Sequence, residues 1–334
     1  MSHDNNGVLE IKNSMMCSAS KNFFVDGMKL AVPVYLKIKD NHYLLIGKKE
    51  DKANFSNLHS YQNPSTLVFV KKDDYLDLIH YVTSVTESIV DNPQAPISIK
   101  TKFIASLADS ALSSLDGKGV ANVAQLQRVS QFVVGLGKQF PDFNSVMQIL
   151  AQLPENESKH AMATSLISVL ICEEMGLVHK AAVEKAALGS LLHDVGLNFI
   201  PKGISAKAKH LWTPDEYEIY EQHPLKGAEI LRDLKDISAD VLLIVAEHHE
   251  NAQGTGFPKR IRDIKISPLG RVVGLSDHFA ELLFNPVEPS RNNTADEAIN
   301  FIENILGQPY NKQTFQALKK IINKQFFIEK QKAS

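Results

Sequence analysis

The sequence predicts a mainly α-helical protein with a small α/β domain at its N-terminus, on three observations. Strand-like and helix-like signals are mixed only as far as about residue 97. From there almost to the C-terminus, apolar residues recur at helical spacing between legible start and stop signals. Between the two regions lies DNPQAPIS, whose two prolines make it a natural boundary.

Bulk properties agree with a globular protein of roughly two domains: 334 residues, 44% hydrophobic and 22% charged. A formal net charge of -2 gives no sign of a polyanion-binding surface, so no DNA partner is expected and any phosphate contact must be local. Cys17 and Cys172 form no CxxC, and Cys172, in SLISVLICEEMGL, reads as a small packed hydrophobe. Such sparse cysteine fits a reducing compartment. The N-terminus, MSHDNNGVLEIKN, lacks the basic start and apolar core of a signal peptide. The longest apolar runs resemble VLLIVA, far short of the ~20 residues of a membrane helix. The expectation is a cytoplasmic protein without a membrane partner.

In chain order, LAVPVYLKI and HYLLIGKK flank Lys39-Asp40-Asn41 and read as a hairpin. STLVFVK reads as a third strand, and DDYLDLIHYVTSVTESIV as a helix with Leu76, Ile79 and Val82 on one face. Residues 1–97 are assigned to a regulatory or interaction domain and 98–154 to a helical connector. The connector holds FIASLADSALSSL and NVAQLQRVSQFVVGLGKQF, with a break at Gly117–Gly119 between them, then FNSVMQILAQL up to Pro154. Residues 155–334 form the second domain. There KHAMATSLISVLICEEMGL ends at Gly176, and KAAVEKAALGSLLHDVG keeps Val183, Ala187 and Leu191 on one face. TPDEYEIYEQH begins with Thr213 as N-cap, Pro214 at the first helical position and Glu216 completing a capping box. ADVLLIVAEHH ends in two histidines, and SPLGRVVGLSDHFAELL opens on Ser267 and Pro268.

Of twelve histidines, His160, His193, His223, His248 and His249 fall at helix positions that can converge, joined by Asp194 and Asp277. Imidazole and carboxylate together suit iron, manganese or zinc. Adjacent His193 and Asp194 can lean into one cavity, where a carboxylate can bridge two metals. Seven ligands exceed what one metal takes, and two metals with open positions would activate a water and clamp a phosphoryl oxygen. A lone histidine on an apolar helix is more often a hydrogen-bonded core residue, and His59, His80, His179 and His210 are read as ordinary packing or surface residues.

Order and spacing favour the metal. LLHDVGLNFIP resembles the HD-GYP pattern in which an HD pair precedes Gly-Lys and then Val-Pro. HPLKGAEIL is similar to HPxxGxxIL, EHHENAQGTGFP to HHExxDGxGYP, and RVVGLSDHFAEL to RxxxxxDxFDAL, all in the family's order over about 155–285. The resemblance implies an HD-type helical bundle that hydrolyses cyclic di-GMP at a phosphodiester bond. Carried over residue by residue, it implies His160, His193, Asp194, His223, His248, His249 and Asp277 as metal ligands, with Asp194 also counted as catalytic. It further implies two divalent ions, iron first, and places Phe257 on the substrate side.

Four departures stand beside these matches. The lysine expected after HDxG is Leu197, the loop aspartate is Gln253, the loop tyrosine is Phe257, and the aspartate three residues after Asp277 is Ala280. The basic RPYR-like element is not recognisable in FNPVEPSRNN. At the position of a third-metal glutamate stands Asn156, between Glu155 and Glu157, which favours a binuclear site. Lys259, Arg260 and Arg262 can partly restore attraction for phosphate, although a solvated basic turn explains them as well. Three functions follow: a phosphodiesterase of cyclic di-GMP or a related nucleotide, weak or impaired; a catalytically inactive, metal-stabilised module that binds nucleotide or signalling proteins; or a hydrolase of another phosphate ester.

Overall fold

The computed structural model describes residues 8–19, 23–24, 27–52, 68–113, 115, 123–140, 142–154, 157–177, 179–284 and 294–332, with side chains to 323 except at Glu157. His59, the Gly117–Gly119 break, Glu155, Asn156 and positions 285–293 of the FNPVEPSRNN segment lie outside them. The chain forms two compact units, Met1–Ser110 and Ala111–Ser334. Among the described residues no helix is long and apolar enough to cross a membrane.

In the first unit the expected hairpin pairs β3 (Val34–Lys39) with β4 (His42–Gly47). Its tip holds Asn41 at φ 60°, a left-handed conformation that asparagine tolerates better than most residues. The Asn41 side-chain oxygen accepts from the Asn13 backbone N–H at 2.7 Å, and the Asn13 side chain returns the bond at 2.9 Å. Strands β1 (Val8–Glu10), β2 (Met16–Ala19) and β5 (Val68–Lys71) complete an antiparallel sheet of order β1-β4-β3-β5-β2. Helix α1 (Lys72–Asp91) packs on β2 and β5 through Leu78, Ile79 and Val82. Leu76, expected on that face, is 53% exposed. The buried stripe is centred on 78, 82 and 86, and two residues turn a helix by about 200°, which puts position 76 opposite.

Helix α2 (Ile97–Ser113) leads into the second unit, which continues with α3 (Val123–Gly137) and α4 (Phe143–Leu150). Next come α5 (Glu157–Glu174), α6 (Lys180–Leu192), the 3-10 turn Val195–Phe199 and the short α7 (Lys202–Ser205). Helices α8 (Pro214–Glu221), α9 (His223–Arg232), α10 (Ala239–Glu247) and α11 (Pro268–Phe284) supply most of the remaining core, followed by α12 (Ala295–Asn300) and α13 (Lys312–Lys332). The Thr213–Glu216 capping box forms, and Ser267 Oγ accepts the Gly270 N–H at 3.1 Å.

Helices α5 and α6 are buried on several faces and approach closely through small residues. Ser165 Oγ donates to the Ala187 carbonyl at 3.0 Å, and Ser190 Oγ to Ser168 Oγ at 3.0 Å. Cys172 is fully buried there, and burial pushes its thiol up to about 12, so it stays a packed neutral thiol. This antiparallel pair puts the start of α5 beside the end of α6.

Two glycines set the approach of the site's remaining walls. A Cβ at Gly196 would lie 2.0 Å from the His223 carbonyl oxygen, and one at Gly274 would lie 2.4 Å from that of His248. Both obstacles are backbone, so neither can swing aside. Gly196→Ala is therefore expected to destabilise the helical unit by about 1–3 kcal/mol, as overpacking does. Equilibrium denaturation checks this, and an unchanged midpoint would show that the turn can retreat.

Candidate metal centre

Five helix ends or faces converge on one buried point. His160 comes from the first turn of α5, His193 and Asp194 from the end of α6, and His223 from the start of α9. His248 and His249 follow α10, and Asp277 lies in the middle of α11. All seven residues predicted as ligands are thus brought together.

Their orientation is fixed locally. His193 Nδ1 lies 2.7 Å from the Ser190 carbonyl, His223 Nδ1 2.8 Å from that of Tyr220, and His248 Nδ1 2.8 Å from that of Val245. A carbonyl can only accept, so each Nδ1 carries the hydrogen and each Nε2 is aimed inward. The arrangement suits metal ligation, in which one imidazole nitrogen is held by a hydrogen bond while the other coordinates.

The inward nitrogens meet two carboxylates. Asp194 Oδ2 is 3.1 Å from His193 Nε2, whereas its Oδ1 faces His223 Nε2 at 3.3 Å and His248 Nε2 at 3.7 Å. Asp277 Oδ1 lies 2.9 Å from His160 Nε2 and 3.3 Å from His193 Nε2, and its Oδ2 lies 3.7 Å from His249 Nδ1. Burial opposes ionisation of both carboxyls. The neighbouring imidazoles outweigh it, His193 foremost, and hold Asp194 and Asp277 well below the usual carboxylate range. Burial drives His249 well below the ordinary imidazole value and also lowers His248, leaving them neutral and able to ligate. At His193 burial pulls the same way, but Asp194 and Asp277 overcome it and raise the pKa.

Several contacts make sense around a cation. His223 Nε2 and His248 Nε2 face each other at 3.2 Å although both Nδ1 hydrogens are already committed, so two lone pairs oppose. Buried His160 Nδ1 and His249 Nε2 have no hydrogen-bond partner, a costly state for buried polar atoms. The ligand atoms form overlapping groups within 4.8 Å, among them Asp194 with His223, His248 and His249, and Asp194 with His160 and His193. The donor set fits a divalent metal. Asp194 keeps 34% of its side chain open, which leaves an approach to the centre.

Around this centre, Phe257 stacks on His249 with ring centroids 4.3 Å apart, so the position of the missing tyrosine does line the site. Arg260 is exposed and reaches Glu221 at 3.9 Å, and Lys259 is exposed. Gln253 donates to the Gly307 carbonyl at 3.1 Å, a bond within the loop packing. Ala280 is wholly buried.

Sequence reasoning passed over four further residues. Glu250 accepts the Lys259 and Ile261 N–H groups at 2.7 and 3.0 Å, and Glu247 accepts that of Ser267 at 2.7 Å, so these two carboxylates brace the loop bearing Phe257. Their place beside the paired histidines was the available signal. Tyr220 stacks on His223 at 4.8 Å, and Lys209 reaches the Tyr220 hydroxyl at 3.3 Å. Tyr220 stands three residues before His223, a spacing that could have marked it; Lys209 belongs to no motif.

Fold and site together define a mainly helical protein with a buried histidine–aspartate cluster suited to divalent cations. The HD domain family model matches residues 144–313, half of the chain, and the chain belongs to that family. It is 30% identical over 193 residues to a cyclic di-GMP phosphodiesterase of Thermotoga maritima, an alignment covering 55% of this chain and 50% of that one. It is 29% identical over 144 residues to the cyclic di-GMP phosphodiesterase PdeB of Borreliella burgdorferi, covering 43% of this chain and 37% of that one. This chain thus spans half or less of the length of these curated relatives. A solved HDG"Y"P protein from Bdellovibrio bacteriovorus shares the fold with a TM-score of 0.67 and 19% identity, over 92% of this chain and 99% of that one.

Proposed function

We propose that this chain is a divergent HD-GYP-type phosphodiesterase with a two-metal centre, acting weakly on cyclic di-GMP or a related nucleotide. The observation that carries the two-metal reading is the split aim of Asp194, one oxygen toward His193 and the other toward His223 and His248. One ion would be held by His160, His193, Asp194 and Asp277, the second by His223, His248, His249 and Asp194. The mixed nitrogen and oxygen donors suit iron, with manganese or zinc as alternatives. When bound, such ions supply Lewis acidity toward a phosphoryl oxygen and activate the water that attacks phosphorus. The chain's own part is to aim the ligands and to brace the Phe257 loop through Glu247 and Glu250. Residues 1–97 are assigned a regulatory or interaction role and 98–154 a connecting one.

A second reading, an inactive metal-stabilised module that binds nucleotide or signalling proteins, is favoured by Ala280. Three residues after Asp277, where the resemblance implies an aspartate, the buried methyl of Ala280 can orient no reacting group. Leu197 likewise carries no charge. Missing acid–base groups typically cost ~10²–10⁴-fold in rate, so slow turnover is expected with metal retained. Metal content and cyclic di-GMP hydrolysis measured on one preparation separate the readings. Two metals with slow hydrolysis support the enzyme, and nucleotide retained without turnover supports the module. A rate matching vigorous relatives would show the missing groups to be dispensable.

A further inference from the structure

The rim of the centre holds a cation that no motif predicts. Lys209 opens the 3-10 turn Lys209–Leu211, which is pinned to α8. The Tyr217 hydroxyl donates to the Lys209 carbonyl at 2.9 Å. Trp212 packs its ring against Tyr217 and Tyr220 at 5.4 and 5.0 Å while its Nε1 donates to the Ile204 carbonyl at 3.0 Å. The Lys209 ammonium donates to the Tyr220 hydroxyl at 3.3 Å and to Glu281 Oε1 at 3.2 Å, and sits 5.0 Å from the Tyr220 ring centre.

Both tethers belong to the centre's surroundings. The Tyr220 ring packs 4.8 Å from His223, 6.1 Å from His249 and 5.7 Å from Phe257. Glu281 is four residues after Asp277 on α11, hence one turn along the same face. The ammonium is therefore held between a ring that touches two ligand histidines and a carboxylate one turn from a third ligand. Its side chain is 52% exposed and that of Glu281 41%, so solvent and ligand can reach them.

We propose that Lys209, oriented by Tyr220, is the substrate-phosphate contact of this site and fills from another segment the cationic role that Leu197 cannot. The proposal rests on the phosphoester reading above. The ligand class is a phosphate ester whose non-bridging oxygen takes the place of Glu281. That exchange is accessible because an exposed ion pair contributes little to stability. A phosphoryl oxygen accepts a stronger, charge-assisted bond. Tyr220 acts as a positioning residue, through its hydroxyl on the ammonium.

The test uses the full chain, metal-loaded and metal-free, with inorganic phosphate as calorimetric probe and bis(p-nitrophenyl) phosphate as turnover probe. Lys209→Met is expected to weaken phosphate binding at least about 10-fold, the scale of a hydrogen bond to a charged group, with metal content unchanged. Lys209→Arg should restore most of the loss, and Tyr220→Phe should lose part of it. Glu281→Gln should tighten phosphate binding, because it removes the competitor. A purely structural ion pair predicts instead that Lys209→Met and Glu281→Gln shift binding the same way, and that result would overturn the inference. So would unchanged affinity in Lys209→Met, or a wild-type protein that binds no phosphate in either form. Metal content of the wild type reports on the metal centre separately. Lys209-dependent phosphate binding by metal-free protein would uphold this inference even if that reading failed.

Discussion

Asp194→Ala is expected to strip the chain of both metals and to abolish phosphodiester hydrolysis. Asp194 turns one oxygen to His193 at 3.1 Å and the other to His223 and His248 at 3.3 and 3.7 Å. In the proposed two-metal centre, removing it would leave each ion one ligand short and take away the charge between them. The loss of affinity should exceed the 10–100-fold typical of residues that merely support a ligand. Asp194→Asn makes a sharper variant, because it keeps the shape but exchanges one oxygen for an amide N–H that cannot ligate. That variant should hold at most one ion. Elemental analysis reads both outcomes, with exposed His80→Ala as a control that keeps the wild-type content. Two metals bound by Asp194→Ala would remove the bridging role.

The second large effect concerns stability. A ligand at 1,000 times its Kd stabilises the state that binds it by ~4 kcal/mol, and a unit of this size shifts by ~2–4 °C per kcal/mol, so chelation should lower Tm by roughly 8–16 °C. The physical basis is the buried His249 Nε2, which has no hydrogen-bond partner, together with the opposed nitrogens of His223 and His248. The loss should fall on the helical unit. Amide-exchange protection in β3 and β4 should be unaffected. Calorimetry with and without chelator, on protein whose metal is verified as gone, decides the matter. An unchanged melting profile would separate the site from folding.

The seven residues that cluster were legible in the sequence because metal chemistry restricts residue type and because adjacent pairs such as His193-Asp194 and His248-His249 are conspicuous. Helix starts were legible for a similar reason: Thr213 with Glu216, and Ser267 before Pro268, satisfy donors that every helix leaves open. What failed to show was whatever depends on tertiary placement. Strands β1 and β2, of three and four residues, are too short to display alternation. Leu76 has helical spacing with Ile79 and still faces outward, since periodicity gives a stripe's period and not its centre. Lys209 and Tyr220 meet through a turn pinned by aromatic rings, which no local pattern encodes.

The bonds from His193, His223 and His248 to Ser190, Tyr220 and Val245 bear on how such a chain can change over time. Each carbonyl lies in the last turn of its helix, where acceptors lack an intrahelical donor, so each histidine also completes a helix end. Selection for folding alone would retain these three residues in a lineage that had stopped hydrolysing anything. His160 and His249 complete no helix end in this way: His160 Nε2 meets Asp277 at 2.9 Å, and the buried His249 Nε2 has no hydrogen-bond partner. In descendants that have given up the metal, substitutions should accumulate at those two positions first, and their retention is the more telling record of a centre still in use.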